Sequence, residues 1–309
     1  MINLKGELSS TFDVTDLGEP SKIVGIEITH SGDSLTISQP LHIDSILRKY
    51  KMEEANPVST PLDPNIKLTP SKDGASPERS NDYASLIGSL QYLAVATRPD
   101  IAYAVNRLAA CTANPSFEHY GAAKRLLRYI KGTRSLGITY RAQSERLVGP
   151  MDSNFFFGFS DAAFANADDR KSISGYVFLS NGGAITWGSK KQNTIALSTT
   201  EAEYVTLSEA AREATWLRHL YGELGFIQRE PILLLGDNDG SIAMAKNPQF
   251  HKRTKHVDLR WHWVRELVND GLINIVDCRD PQQTADIFTK QVPRIKFSRH
   301  VNELGMSLV

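Results

Sequence analysis

The sequence predicts an α/β fold: a mixed five-stranded sheet with flanking helices in the second half, preceded by a mainly helical region that carries a β-hairpin. Beyond residue 150, three strand-like runs precede a long helical pattern, after which strands and helices alternate. From Asp82 to Lys131 apolar residues recur at helical spacing instead, with Tyr83, Leu86, Ile87 and Leu90 on one face. A chain of 309 residues, 41% of them hydrophobic, also exceeds the usual size of one domain and can bury two cores.

Taken in order, Lys22–Ile28 and Leu35–Ser38 read as strands around the turn signal His30-Ser31-Gly32-Asp33, which predicts a hairpin. Leu41–Lys51 carries Ile43, Ile46 and Leu47 at helical spacing, and a loop rich in Pro, Ser, Asp and Lys follows from Asn56 to Asn81. Further helices are expected at Ile101–Cys111 and Phe117–Tyr129. The polar stretch Ala142–Ser153, with its Gly-Pro pair, marks a boundary, giving residues 1–150, 151–295 and a tail at 296–309.

In the second part the expected strands are Phe155–Ser160, Gly175–Leu179, Ala184–Ser189, Ile232–Leu235 and Ile273–Asp277. The expected helices are Thr199–Leu224, Ser241–Lys246, Val257–Asn269 and Gln283–Thr289.

Lys plus Arg equal Asp plus Glu at 35 each, so no global positive field announces a nucleic-acid partner, and such evidence must be local. Two cysteines, Cys111 and Cys278, and an N-terminus without a basic and then apolar leader point to an intracellular protein, cytoplasmic or nuclear. No apolar run reaches the roughly 20 residues of a membrane span.

Four carboxylates stand where chemistry collects. The aromatic strand Phe155–Ser160 ends in Asp161, and the aliphatic strand Ile232–Leu235 ends, after Gly236, in Asp237. Continuous apolar strands are buried on both faces and ligands gather at their ends, although an Asp after a strand most often only opens a turn.

On the helix from Thr199, Glu201 and Glu203 point roughly 200° apart, so one of them at most can face a common site. Ser198-Thr199-Thr200-Glu201 fits a capping box, which gives Glu201 a structural task and leaves Glu203 as the better ligand, with Glu201 as fallback. Asp286 opens the last helix, where the helix dipole alone would favour an acid. Such a set of hard oxygen donors suits Mg²⁺, with Mn²⁺ as a substitute, rather than zinc. A pair of ions about 4 Å apart would support phosphodiester hydrolysis.

The motifs resemble those of the ribonuclease H of copia-type LTR retrotransposons: SDAAFA at 160–165, SISGYVFL at 172–179, WGSKKQ at 187–192, LSTTEAEY at 197–204 and DNDGSIAMAKNP at 237–248, with FHKRTKH at 250–256 and TADIFTK at 284–290. Upstream, SLIGSLQYLAVATRPDIAYAVNRLA at 85–109 and AAKRLLRYIKGT at 122–133 resemble the thumb and connection region of the same polyprotein. The resemblance implies a ribonuclease H-like fold after a thumb/connection-like region. It further implies that Asp161, Glu203, Asp237 and Asp286 are catalytic and hold two Mg²⁺ ions, and that the RNA strand of an RNA–DNA hybrid is cut. The rest of a reverse transcriptase polyprotein is a further expected partner.

Two departures stand out. The Tyr-x-Asp-Asp turn of the polymerase is absent, so no polymerase activity is expected from this chain alone. Cellular ribonucleases H often carry a loop histidine before the final Asp, whereas Arg279–Thr284 contains none; His256 is a weak substitute, since a His at a helix start is more often a cap or surface residue.

For gripping a substrate, Lys252, Arg253, Lys255 and His256 lie in a basic stretch interleaved with Phe250, Trp261 and Trp263, although the tryptophans fit a core better than a substrate contact. Lys124, Arg128 and Lys131 recur at helical spacing and form one basic edge, which an ordinary solvated face also explains. A transposase or integrase would order its acids Asp, Asp, Glu, which this chain does not. The main alternative is a catalytically inert retroelement remnant that binds nucleic acid at most.

Overall fold

A computed structural model describes residues 2–64, 66, 68–69, 77–142, 156–167, 169–246, 255–278 and 282–309. The side chains of helical residues 2–4, 77–79 and 255–261 lie outside that description. A first helix, α1 (Ile2–Thr11), and the two-residue β1 (Lys22–Ile23) lead into the hairpin of β2 (Ile26–Ser31) and β3 (Ser34–Ser38). Ser31 pairs with Ser34, and Gly32 turns the chain at φ +54°, which a residue with a Cβ resists.

Helix α2 (Pro40–Lys49) starts on a proline and buries Ile43, Ile46 and Leu47, as their spacing predicts. Helix α3 (Pro77–Ala96) buries Tyr83, Leu86, Ile87 and Leu90. A 3-10 turn at Pro99–Ile101 opens α4 (Ala102–Ala109), and α5 (Phe117–Gly132) begins with a reciprocal cap between Ser116 and His119. The far end of α5 is pinned by a fully buried ion pair, Arg98–Asp100 at 2.7 Å, to which the Tyr129 hydroxyl donates at 2.7 Å. Arg98 also donates to the Thr133 carbonyl, which satisfies a helix-end acceptor.

Strand β4 (Leu136–Arg141) then pairs with β3, so the expected hairpin grows into a five-stranded antiparallel sheet in the order β1-β2-β3-β4-β10. Its last member, β10 (Met306–Leu308), follows α9 (Arg294–Glu303). Residues 296–309, expected as a tail, are thus helix and strand. Phe297, Val301 and Leu304 are buried at helical spacing, and Met306 is buried in the short strand that follows.

The second sheet has the order β7-β6-β5-β8-β9 and is the predicted mixed sheet. Strands β5 (Phe157–Ala163), β6 (Ile173–Ser180) and β7 (Gly183–Lys191) are antiparallel neighbours. After the long α6 (Thr199–Glu223), β8 (Ile232–Gly236) pairs parallel with β5; after α7 (Asp239–Lys246) and α8 (Lys255–Asn269), β9 (Ile273–Asp277) pairs parallel with β8. Three antiparallel strands followed by two parallel ones added beside the first is the ribonuclease H-like topology.

The helix expected at Gln283–Thr289 is a 3-10 turn, Thr284–Phe288. The Gln283 side chain holds its start, accepting from Ala285 N and donating to Ser160 O at 3.1 Å, which ties the turn down on β5.

This sheet separates two cores. Tyr204, Leu207, Ala210, Ala211 and Ala214 of α6 pack on Ile232, Leu234, Ile273 and Ile275. On the opposite face Phe157, Phe159, Val177, Leu233 and Leu235 share one continuous core with α2 to α5 and with Phe297 of α9. The near-continuous apolar β8 therefore serves both sides, as a strand buried on two faces must.

Hydrogen bonds close the joint between the halves. The Trp187 indole donates to Ala94 O at 2.7 Å, the Tyr140 hydroxyl to Ala184 O at 2.6 Å, and Asn106 to Ser189. The C-terminal segment reaches both sheets, through Thr139 N to Gly305 O and Ala184 N to Leu304 O. Among the described residues no helix is long and apolar enough to cross a membrane.

Candidate active site

Register builds the site. Phe159 pairs with Leu235 in the parallel β5–β8 ladder, and each is followed two residues later by an Asp. Asp161 and Asp237 therefore emerge side by side, because residues two apart on a strand share a face. Asp161 lies inside β5, which runs to Ala163, rather than at its end; β6 covers it there, through the Asp161–Gly175 pair.

Gly175 is required at that position. A Cβ would lie 2.6 Å from Thr289 Cγ2 and 2.7 Å from Phe288 Cβ, so the bare backbone lets the 3-10 turn that carries Asp286 approach the strand.

Helix α6 adds the third acid. Ser198 caps it by accepting from Glu201 N at 3.1 Å, and the Glu201 carboxylate turns back to accept from Leu197 N at 2.8 Å, one residue short of the expected Ser198 amide. Glu201 is thus committed to the helix start. Glu203, on the opposite side, is buried and approaches the strand pair, where the Ala162 amide donates to it.

Oxygens of Asp161, Glu203 and Asp237 lie within 4.8 Å of one another, and this is the candidate metal site among the described residues. The electrostatics suit a cation-binding site. Burial first, then Asp161 and Asp237, push the Glu203 carboxyl up to about 9. Burial also raises Asp161 to about 6, against the pull of Lys290, and it raises Asp237 as well. A dense group of carboxyls that resist ionisation fits a divalent cation bound by hard oxygens.

Asp286, only 2% exposed, adjoins this group through Lys290. The Lys290 ammonium is 2.6 Å from Asp286 Oδ1 and 3.7 Å from Asp161 Oδ2, while Lys296 pairs with Asp286 Oδ2. Burial pulls the Lys290 ammonium down, but Asp161 and Asp286 outweigh it and leave the group raised. The Thr289 hydroxyl donates to Asp161 Oδ2. Sequence reasoning missed Thr289, Lys290 and Lys296; the available signal was TADIFTK itself, in which Lys290 stands four residues after Asp286.

No family model matches the chain. It is 39% identical to the Retrovirus-related Pol polyprotein from transposon TNT 1-94 of Nicotiana tabacum, over 98% of this chain and 23% of that protein. It is 35% identical to the Retrovirus-related Pol polyprotein from transposon RE1 of Arabidopsis thaliana, over 99% of this chain and 20% of that one. The chain belongs to the copia-type retrotransposon Pol family. It spans about a fifth of the length of these curated relatives. A solved foamy viral protease-reverse transcriptase in complex with RNA/DNA hybrid covers 88% of this chain and 30% of its own, at 15% identity and a TM-score of 0.47.

The basic residues expected to grip substrate divide in this Pol-family chain. Lys252 and Arg253 lie outside the described residues, as do the side chains of Lys255 and His256 at the start of α8. On α5, Lys124 is exposed and Lys131 half-buried, but Arg128 donates to Asn56 O at 2.6 Å and Arg125 to Thr60 at 3.0 Å. Part of the basic edge therefore packs the 56–63 loop onto the helix. Trp263 packs against the α6 core.

Proposed function

We propose that this Pol-family chain is a ribonuclease H that hydrolyses the RNA strand of RNA–DNA hybrids as part of a retrotransposon reverse transcriptase. The observation that carries the reading is the convergence of Asp161, Glu203 and Asp237 at the paired strands of a ribonuclease H-like sheet. Asp161, Glu203, Asp237 and Asp286 would hold the ions, two Mg²⁺ or Mn²⁺. Bound there, the ions would lower the pKa of a water nucleophile, neutralise the scissile phosphate and stabilise the leaving 3′ oxygen.

The chain's own residues prepare that chemistry. Gly175 admits the turn bearing Asp286, Gln283 fastens the turn to β5, and Thr289 orients Asp161 by its hydroxyl. Glu201 keeps the first turn of α6 closed so that Glu203 faces inward. Lys124, Lys131, Lys252, Arg253, Lys255 and His256 would neutralise backbone phosphates and set the salt dependence of binding. Residues 151–295 would form the nuclease unit and 1–150 a thumb/connection-like platform in an intracellular protein, with the remainder of a reverse transcriptase as partner.

The test is a hybrid labelled separately on each strand, incubated with the full chain and Mg²⁺. Cleavage confined to the RNA strand, and lost in a folded Asp237→Asn variant, is expected. A folded wild-type chain that cuts neither strand in Mg²⁺ or Mn²⁺ would leave the inert remnant as the reading.

A further inference from the structure

Both carboxylate oxygens of Asp286 face an ammonium group, Oδ1 at 2.6 Å from Lys290 and Oδ2 paired with Lys296. The same Lys290 nitrogen is 3.7 Å from Asp161 Oδ2, so one protein cation bridges Asp161 and Asp286. Asp161, Glu203 and Asp237 instead turn oxygens toward one another within 4.8 Å. Two cation positions thus adjoin across Asp161, one framed by three carboxylates and the other held by lysine.

We propose that Lys290 and Lys296 are positioning residues that compete with the second divalent ion for Asp286, so that the site takes its two ions in sequence. This inference rests on the nuclease reading above. The first ion meets three acids and leaves the lysine pairs of Asp286 in place. The second must displace Lys290 from the Asp161–Asp286 bridge and weaken the Lys296 pair before Asp286 can become its ligand.

Charge conservation makes the arrangement workable. In the metal-free chain the lysines offset the negative charge of Asp286 and Asp161 that desolvation would otherwise penalise. Once the second ion is in place Lys290 is released toward the cleft beside it, which it lines with Arg107, Asn166 and Gln291. Lys296 stands on α9, and the strand that follows it pairs with β4, so its hold on Asp286 depends on how the C-terminal segment is docked.

The experiment is Mn²⁺ titration of the full chain by calorimetry, with electron paramagnetic resonance to count bound ions, on wild type, Lys290→Met, Lys296→Met and Lys290→Arg. Wild type is expected to show one tight and one weak phase. Each Met variant should tighten the weak phase by about tenfold, the scale of one charge-assisted hydrogen bond, and leave the tight phase in place. Lys290→Arg, which keeps the competing charge, should retain the weak phase.

If wild type binds two ions and the weak phase stays unchanged or loosens in both Met variants, the lysine inference fails and the metal site stands. If wild type binds no Mn²⁺, or Asp237→Asn leaves the tight phase intact, the carboxylate site itself is wrong and the inference falls with it.

Discussion

Asp161 and Glu203 carry their protons to higher pH in the fold than in the unfolded chain, because burial and neighbouring acids oppose their ionisation. The stability they lend is therefore fully present below about pH 4, near the unfolded carboxylate values, and is lost as pH rises through about 6 for Asp161 and about 9 for Glu203. In EDTA the thermal midpoint should fall across that range, and excess Mg²⁺, which binds the ionised forms, should raise it most at the alkaline end. A flat profile in EDTA, indifferent to Mg²⁺, would contradict the burial of these acids at a metal site. At this scale part of the site was legible: apolar runs leading into Asp161 and Asp237 drew attention to both, although Asp161 lies inside its strand, and helical geometry with a cap separated Glu203 from Glu201. The lysines at Asp286 were not legible, because nothing local marks a long charged side chain as turned inward rather than solvated.

Among elements, the 3-10 turn at Thr284–Phe288 depends on a glycine over a hundred residues away. Gly175→Ala should place its methyl group against Thr289 and Phe288, cost about 1–3 kcal/mol, and move Asp286 away from β5. Chemical denaturation and Mn²⁺ titration read the two effects; an Ala variant with wild-type stability would show that the turn adapts freely. Long periodic elements such as α3, α5 and α6 were readable because each has a continuous apolar face. Strand β4 was not, although Leu136 to Thr139 are buried, since its partners are β3, whose paired residues lie over a hundred positions upstream, and β10 at the C-terminus. A strand defined by such distant neighbours has no local signature beyond a short alternation.

Over the whole molecule, one core runs from α2 through α5 to a face of the second sheet, and the C-terminal segment, through Leu304 and Gly305, bonds to both sheets. Calorimetric unfolding of the full chain should therefore show a single transition, and two separable transitions would argue that the halves fold as independent units. The comparisons identify the family, and the topology gives the ribonuclease H-like sheet, but the central claim is chemical. The measurement that tests it most directly is RNA cleavage in a hybrid with Mg²⁺, comparing Glu203→Gln with Glu201→Gln at matched folding. Glu203→Gln should lose at least about 100-fold in rate, as a removed metal ligand must, while Glu201→Gln keeps activity within a few-fold after its modest loss of helix capping. Full activity in Glu203→Gln, with loss in Glu201→Gln, would contradict the site.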